Sequence, residues 1–196
     1  MAGELPSSLA VVLQVIAVLE ELGVKYHLGG SFAAAVHGVP RQTRDADVVV
    51  DLDAGKAAQL VEDLQTDFYV DPNAAAAAVA RRGTFNAIHF ATGFKVDFFV
   101  TGMEGFDAAE LQRSELHMIV VDPPRSAYVK SAEDTVLRKL QWFRDGGEVS
   151  DRQWTDVLGI LLTQGGRLDE GYLRRWADAL GLADLLDRAL REVREA

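Results

Sequence analysis

The chain has 196 residues, 48% of them hydrophobic and 26% charged, with 20 Lys and Arg against 30 Asp and Glu for a formal net charge of −10. That balance argues against a protein that coats nucleic acid through a broad basic surface. Cysteine is absent, which excludes disulfides and thiolate metal centres and leaves only oxygen or imidazole to hold any metal. Leu9, Val12, Leu13, Ile16, Leu19 and Leu22 recur at helical spacing and predict an opening helix, capped by Ser7 or Ser8 and ended by Gly23. Residues 24–28 then read as a short strand running into Gly29-Gly30, with Ser31 as N-cap of a helix over 32–37 that Gly38 and Pro40 stop.

The stretch from Gly29 to Asp53, GGSFAAAVHGVPRQTRDADVVVDLD, has the logic of a phosphate-and-metal site. Glycines let a phosphate approach the backbone, and a helix N-terminus offers free N–H groups. In an extended chain Arg41, Thr43, Asp45 and Asp47 fall on one side, and the two carboxylates, roughly 7 Å apart at Cα, can converge on one hard cation. Val48-Val49-Val50 continues as a buried strand, so the acids sit on a rigid element.

A helix follows over 54–64 with Ala57, Leu60, Val61 and Leu64 as its apolar stripe, then a short strand at 68–70 and a helix-favouring run of five alanines at 74–78. Residues 84–90 and 94–100 form a hairpin around Ala91-Thr92-Gly93. Its second strand carries Asp97 inside Phe94-Lys95-Val96-Asp97-Phe98-Phe99-Val100, where a carboxylate is costly unless a cation or hydrogen bonds compensate it. Residues 102–115 read as irregular, with one helical turn at 107–111. A strand at 117–121 ends at Pro123-Pro124, a boundary signal. Beyond it Ser131 caps a helix with Asp134 at the third position, and helices over 151–163, 169–180 and 182–193 complete a C-terminal bundle.

At Gly30-Ser31, Asp45-x-Asp47 and Asp97 the chain resembles the nucleotidyltransferase superfamily of the DNA polymerase beta type. Within it, Gly29-Gly30-Ser31, His37-Gly38 and Arg41-x-Thr43-x-Asp45-x-Asp47 are most similar to the AbiEii-type toxin and related bacterial nucleotidyltransferases. The resemblance implies an α/β (α+β) fold, with a mixed-sheet nucleotidyltransferase core over 1–125 and a C-terminal helical subdomain over 126–196. It implies Asp45, Asp47 and Asp97 as catalytic residues and ligands of Mg²⁺ or Mn²⁺. It assigns Gly29, Gly30, Ser31, Arg41, Thr43 and Arg44 to the nucleotide, with Lys139 and Asp156 completing the site from the helical segment.

The activity so implied moves NMP from an NTP to an acceptor hydroxyl on RNA, tRNA, protein or a small molecule. An antitoxin partner belongs to the toxin type. An antibiotic-type small-molecule acceptor is the alternative within the fold, and a non-catalytic nucleotide-binding protein or antitoxin the alternative outside catalysis. The acid excess sits mainly in residues 1–125, with nine Lys and Arg against 17 Asp and Glu; residues 126–196 carry 11 against 13. No apolar run approaches the ~20 residues of a membrane span and the N-terminus lacks a signal-peptide pattern, so a cytoplasmic protein is expected.

Overall fold

The computed structural model describes residues 7–40, 43–102 and 104–195. They fall into two compact units, one formed by described residues of 7–29 and 43–129 and the other by those of 30–40 and 130–195. The elements in chain order begin with α1 (Ser7–Glu21), β1 (Tyr26–Leu28), α2 (Gly30–His37), β2 (Asp45–Val50) and α3 (Ala54–Leu64). There follow β3 (Phe68–Val70), α4 (Pro72–Arg81), β4 (Thr84–His89), β5 (Lys95–Val100), α5 (Gly105–Gln112), β6 (Glu115–Val120) and β7 (Arg125–Val129). The remainder is helical: α6 (Ala132–Asp145), α7 (Asp151–Gln164), α8 (Glu170–Ala179) and α9 (Ala183–Glu195).

The first unit is built on a mixed α/β plan, a seven-stranded sheet in the order β3-β4-β5-β2-β1-β7-β6. Neighbours run antiparallel except β2 with β5 and β1 with β7, which are parallel. One face is continuous apolar core: Ala46, Val48 and Val50 on β2, Val96, Phe98 and Val100 on β5, Phe85 and Ala87 on β4, Tyr26 and Leu28 on β1. Above it α1 packs on α3, α3 on α4, and α4 on β4, each through the apolar stripe that its sequence period lays down. Gly23 closes α1 at φ 59°, where Val24 N donates to Leu19 O, the left-handed stop that glycine adopts without a Cβ penalty.

Two elements differ from the sequence expectation. The stretch expected to be irregular holds a full helix, α5, with Phe106 buried. After Pro123-Pro124 the chain does not leave the sheet; it returns as β7, whose Ala127 and Val129 are buried against its neighbours, pairing parallel to β1 at Leu28 and antiparallel to β6. The opening of α2 also shifts, since the helix begins at Gly30 and Ser31 lies inside its first turn rather than capping it. Among the described residues no helix is long and apolar enough to cross a membrane.

The second unit is helical. Helix α6 packs on α7 and α8, and α9 on α7 and α8, with Val136, Leu137 and Leu140 of α6, Val157 and Ile160 of α7, Leu173 of α8 and Leu186 of α9 all buried. Ser131 caps α6, its hydroxyl oxygen accepting from Asp134 N. The Asp134 carboxylate accepts from Ser131 Oγ and from Tyr172 Oη, each at 2.7 Å, and so ties α6 to α8.

Phe98 is fully buried one residue from Asp97 and stacks on Phe85 with centroids 4.7 Å apart. Phe98→Ala is expected to cost about 3–5 kcal/mol through lost transfer energy and a cavity, read as a lowered urea midpoint.

Candidate active site

The sheet face opposite the core carries the acids. Register on the parallel pair places Asp45 beside Lys95 and Asp47 directly beside Asp97, at the roughly 4.8 Å spacing of adjacent strands. On the next strand Asn86 pairs with Asp97 and Ile88 with Lys95. Two rows of a four-residue carboxylate and ammonium cluster therefore stand on the central strands, each side chain only partly exposed.

One cation of the cluster, Lys95, is paired directly with an acid. Lys95 Nζ lies 2.7 Å from Asp97 Oδ2, with Asp97 more buried than Lys95, at 20% against 43% side-chain exposure. The hydrogen bond to Asp97 raises the Lys95 pKa above its usual range against a desolvation penalty, and the charges of Asp97, Asp45 and Asp47 add to it. Asp45 is held from the other side by Thr43, whose hydroxyl lies 2.9 Å from Asp45 O and 3.0 Å from Asp45 Oδ1. Gly29 N donates to Asp47 O at 2.8 Å, so the backbone beneath the second acid is tied to the end of β1. Thr43 precedes the strand instead of extending it, and Arg44 is exposed in a bend. Arg41 lies outside the described residues.

The chain enters the second unit at Gly30, whose φ of 49° is a left-handed conformation suited to glycine. Ser31 is buried in α2, and its hydroxyl accepts from Arg152 Nη2 at 2.8 Å. Lys139 on α6 lies 2.7 Å from Asp156 Oδ2 and donates to Gln153 Oε1 at 3.1 Å. The first turns of α7 thus supply Arg152 to Ser31 and Gln153 with Asp156 to Lys139. Arg152 and Lys95 were not singled out from sequence. The available signals were the i, i+4 spacing of Arg152 to Asp156 and the i, i+2 spacing of Lys95 to Asp97.

Among the described residues no group of three or more His, Cys, Asp and Glu side chains is already placed to hold a metal ion. A cavity of about 710 Å³ in the first unit is lined by Glu20, Lys25, Tyr26, Asp51, Gln112 and Tyr128 among others, and Asp45, Asp47 and Asp97 do not line it.

No protein-family model matches the chain, and no curated protein matches it in sequence. Solved structures do share its fold. The solution structure of the antibiotic-resistance factor ANT(2″)-Ia is similar with a TM-score of 0.57 at 13% identity, covering 96% of this chain and 96% of that one. The crystal structure of ANT(2″)-Ia in complex with adenylyl-2″-tobramycin gives 0.58 at 12% identity over 89% and 98%. An antigenic nucleotidyltransferase-like protein from Paracoccidioides brasiliensis gives 0.53 at 17% identity over 94% and 92%. Likeness at these identities is one of fold.

Lys139 and Asp156 have side chains only 3% and 9% exposed. Removing one partner strands a buried charge, so Lys139→Met is expected to destabilise by about 3–5 kcal/mol, and Lys139→Met with Asp156→Leu to recover most of the loss. Denaturant titration of the three proteins reads both effects.

Proposed function

We propose that the protein is a metal-dependent nucleotidyltransferase that moves NMP from an NTP to an acceptor hydroxyl. The observation that carries this is the direct pairing of Asp47 with Asp97, one row from Asp45, on the central parallel strands of a fold shared with nucleotidyltransferase-like proteins. Like charges side by side on adjacent strands are unfavourable unless a cation joins them. The donor set is oxygen only and sits on rigid strands, which fits a hard divalent ion such as Mg²⁺ or Mn²⁺. Such an ion would be held by Asp45 and Asp47 with Asp97, and it supplies charge neutralisation at the triphosphate.

The chain's own residues then position and move a proton. Asp97 takes the proton of the acceptor hydroxyl as its oxygen forms a bond to the α-phosphorus. The bond from that phosphorus to the bridging oxygen breaks, and pyrophosphate leaves with the bond pair. Thr43 fixes the Asp45 carboxylate, and little covalent work is asked of the protein, so positioning and charge dominate. The family resemblance gives the phosphates to Gly29, Gly30 and Ser31 with Arg41 and Arg44, and Lys139 and Asp156 a place in the site.

The acid excess of the chain favours a cationic small-molecule acceptor. An adenylylated aminoglycoside bound to a protein of the same fold supports that class. The motif from Gly29 to Asp47 favours a second reading, an AbiEii-type toxin acting in the cytoplasm on RNA or protein and opposed by an antitoxin. Incubation with each α-labelled NTP, Mg²⁺ and either a panel of polyamine antibiotics or total RNA separates the two by which acceptor becomes labelled. Label in neither, nor in protein, removes nucleotidyl transfer.

Mg²⁺ with the accepted NTP at 100 times its Kd is expected to raise the melting temperature by roughly 5–10 °C. Asp45→Asn with Asp47→Asn should abolish that shift and lower turnover by about 100-fold or more.

A further inference from the structure

We propose that Lys95 is the resident counter-cation of the carboxylate face and the group that a divalent ion displaces from Asp97. The inference rests on the metal-dependent reading above and adds a residue that the motif pattern does not contain. Strand geometry gives Lys95 its place: it sits two residues before Asp97, hence on the same face, and is the register partner of Asp45. Its ammonium lies 2.7 Å from Asp97 Oδ2, where it places one positive charge on the face that also carries Asp45 and Asp47.

The pair is made to open. Lys95 keeps 43% of its side chain exposed, on a flexible stem that can swing into water, and a half-exposed ion pair is cheap to break. The Lys139–Asp156 pair, only 3% and 9% exposed, is the opposite case and stays closed. A divalent ion bonded to Asp97 would bring a second positive charge against the ammonium, so the two cations compete for one carboxylate. Lys95 therefore sets how much metal the face needs before it is loaded. Unloaded, the same lysine offsets part of the repulsion among the acids.

Mn²⁺ binding without nucleotide, read by electron paramagnetic resonance of the free ion, tests the exchange on the whole chain. Lys95→Met is expected to bind Mn²⁺ roughly three- to tenfold more tightly than the parent. Lys95→Arg, which restores a cation, is expected to bind like the parent. Without metal Lys95→Met should melt lower than the parent, and Mn²⁺ should close that gap, which also reports a folded variant. Equal affinity in Lys95→Met and parent, or an arginine variant that binds like the methionine one, overturns the proposal. A parent that transfers label while Lys95→Met gains no affinity keeps the transferase reading and removes the role of Lys95. A gain in affinity with no transfer in the parent does the reverse.

Discussion

The in-register parallel pairing of β2 with β5 is the constraint on which the rest depends. It aligns Ala46, Val48 and Val50 with Val96, Phe98 and Val100 on the core face, and the same register sets Asp47 beside Asp97 on the other. A slip of one residue would turn every side chain of a strand to the wrong face, burying carboxylates and exposing valines. Core packing thus enforces a juxtaposition that electrostatics alone would oppose. The acids cannot drift apart to relieve their repulsion, and relief has to come from a cation or from hydrogen bonds. Thr43 and Lys95 provide both.

Much of this was legible in the sequence. The Asp45-x-Asp47 spacing followed by three valines specifies one polar and one buried face, and Phe94–Val100 shows the same alternation around Asp97. What escaped sequence reading was non-local. β7 is five residues long and follows two prolines, and only its pairing with β1 and β6 makes it a strand. Helix α5 lacks a strong apolar period, burying only Phe106 and Glu110. Lys95 read as an ordinary charged residue in an apolar run, because its meaning depends on which strand stands beside it. The start of α2 moved for a local reason: Gly30, at positive φ, opens the helix and leaves Ser31 inside it.

In the helical unit, buried polar groups divide by what satisfies them. Asp134 takes the hydroxyls of Ser131 and Tyr172, and His37 Nε2 lies 2.7 Å from Lys130 O while His37 O accepts from Gln164. All but the local Ser131 bond join segments far apart in sequence, and they specify the packing of α2, α6, α7 and α8. The close approach of α2 to α7 belongs with them, since a Cβ at Gly38 would stand 3.0 Å from Ala34 O and 3.1 Å from Ile160. The bond between Ser31 and Arg152 is different in kind. Arg152 is exposed, so its guanidinium retains donors toward water that a phosphate could engage.

The charge of the whole chain bears on the same chemistry. A protein of net charge −10 repels a nucleoside triphosphate at long range, so the proposed function requires nucleotide affinity to be local. Local means are few: a metal ion between carboxylate and phosphate, backbone N–H groups, and a small number of placed cations. On the proposed reading the acids that make the protein unattractive to free triphosphate are the ones that would recruit the metal, whose two positive charges would offset most of their negative charge. A negatively charged surround would then draw a cationic acceptor, whereas RNA would need a basic path that the composition does not supply broadly. Metal loading would thus decide both whether the triphosphate binds and how the face presents itself to the acceptor. In the proposed exchange Lys95 stands at that step, as the single positive charge that a divalent ion would replace on Asp97.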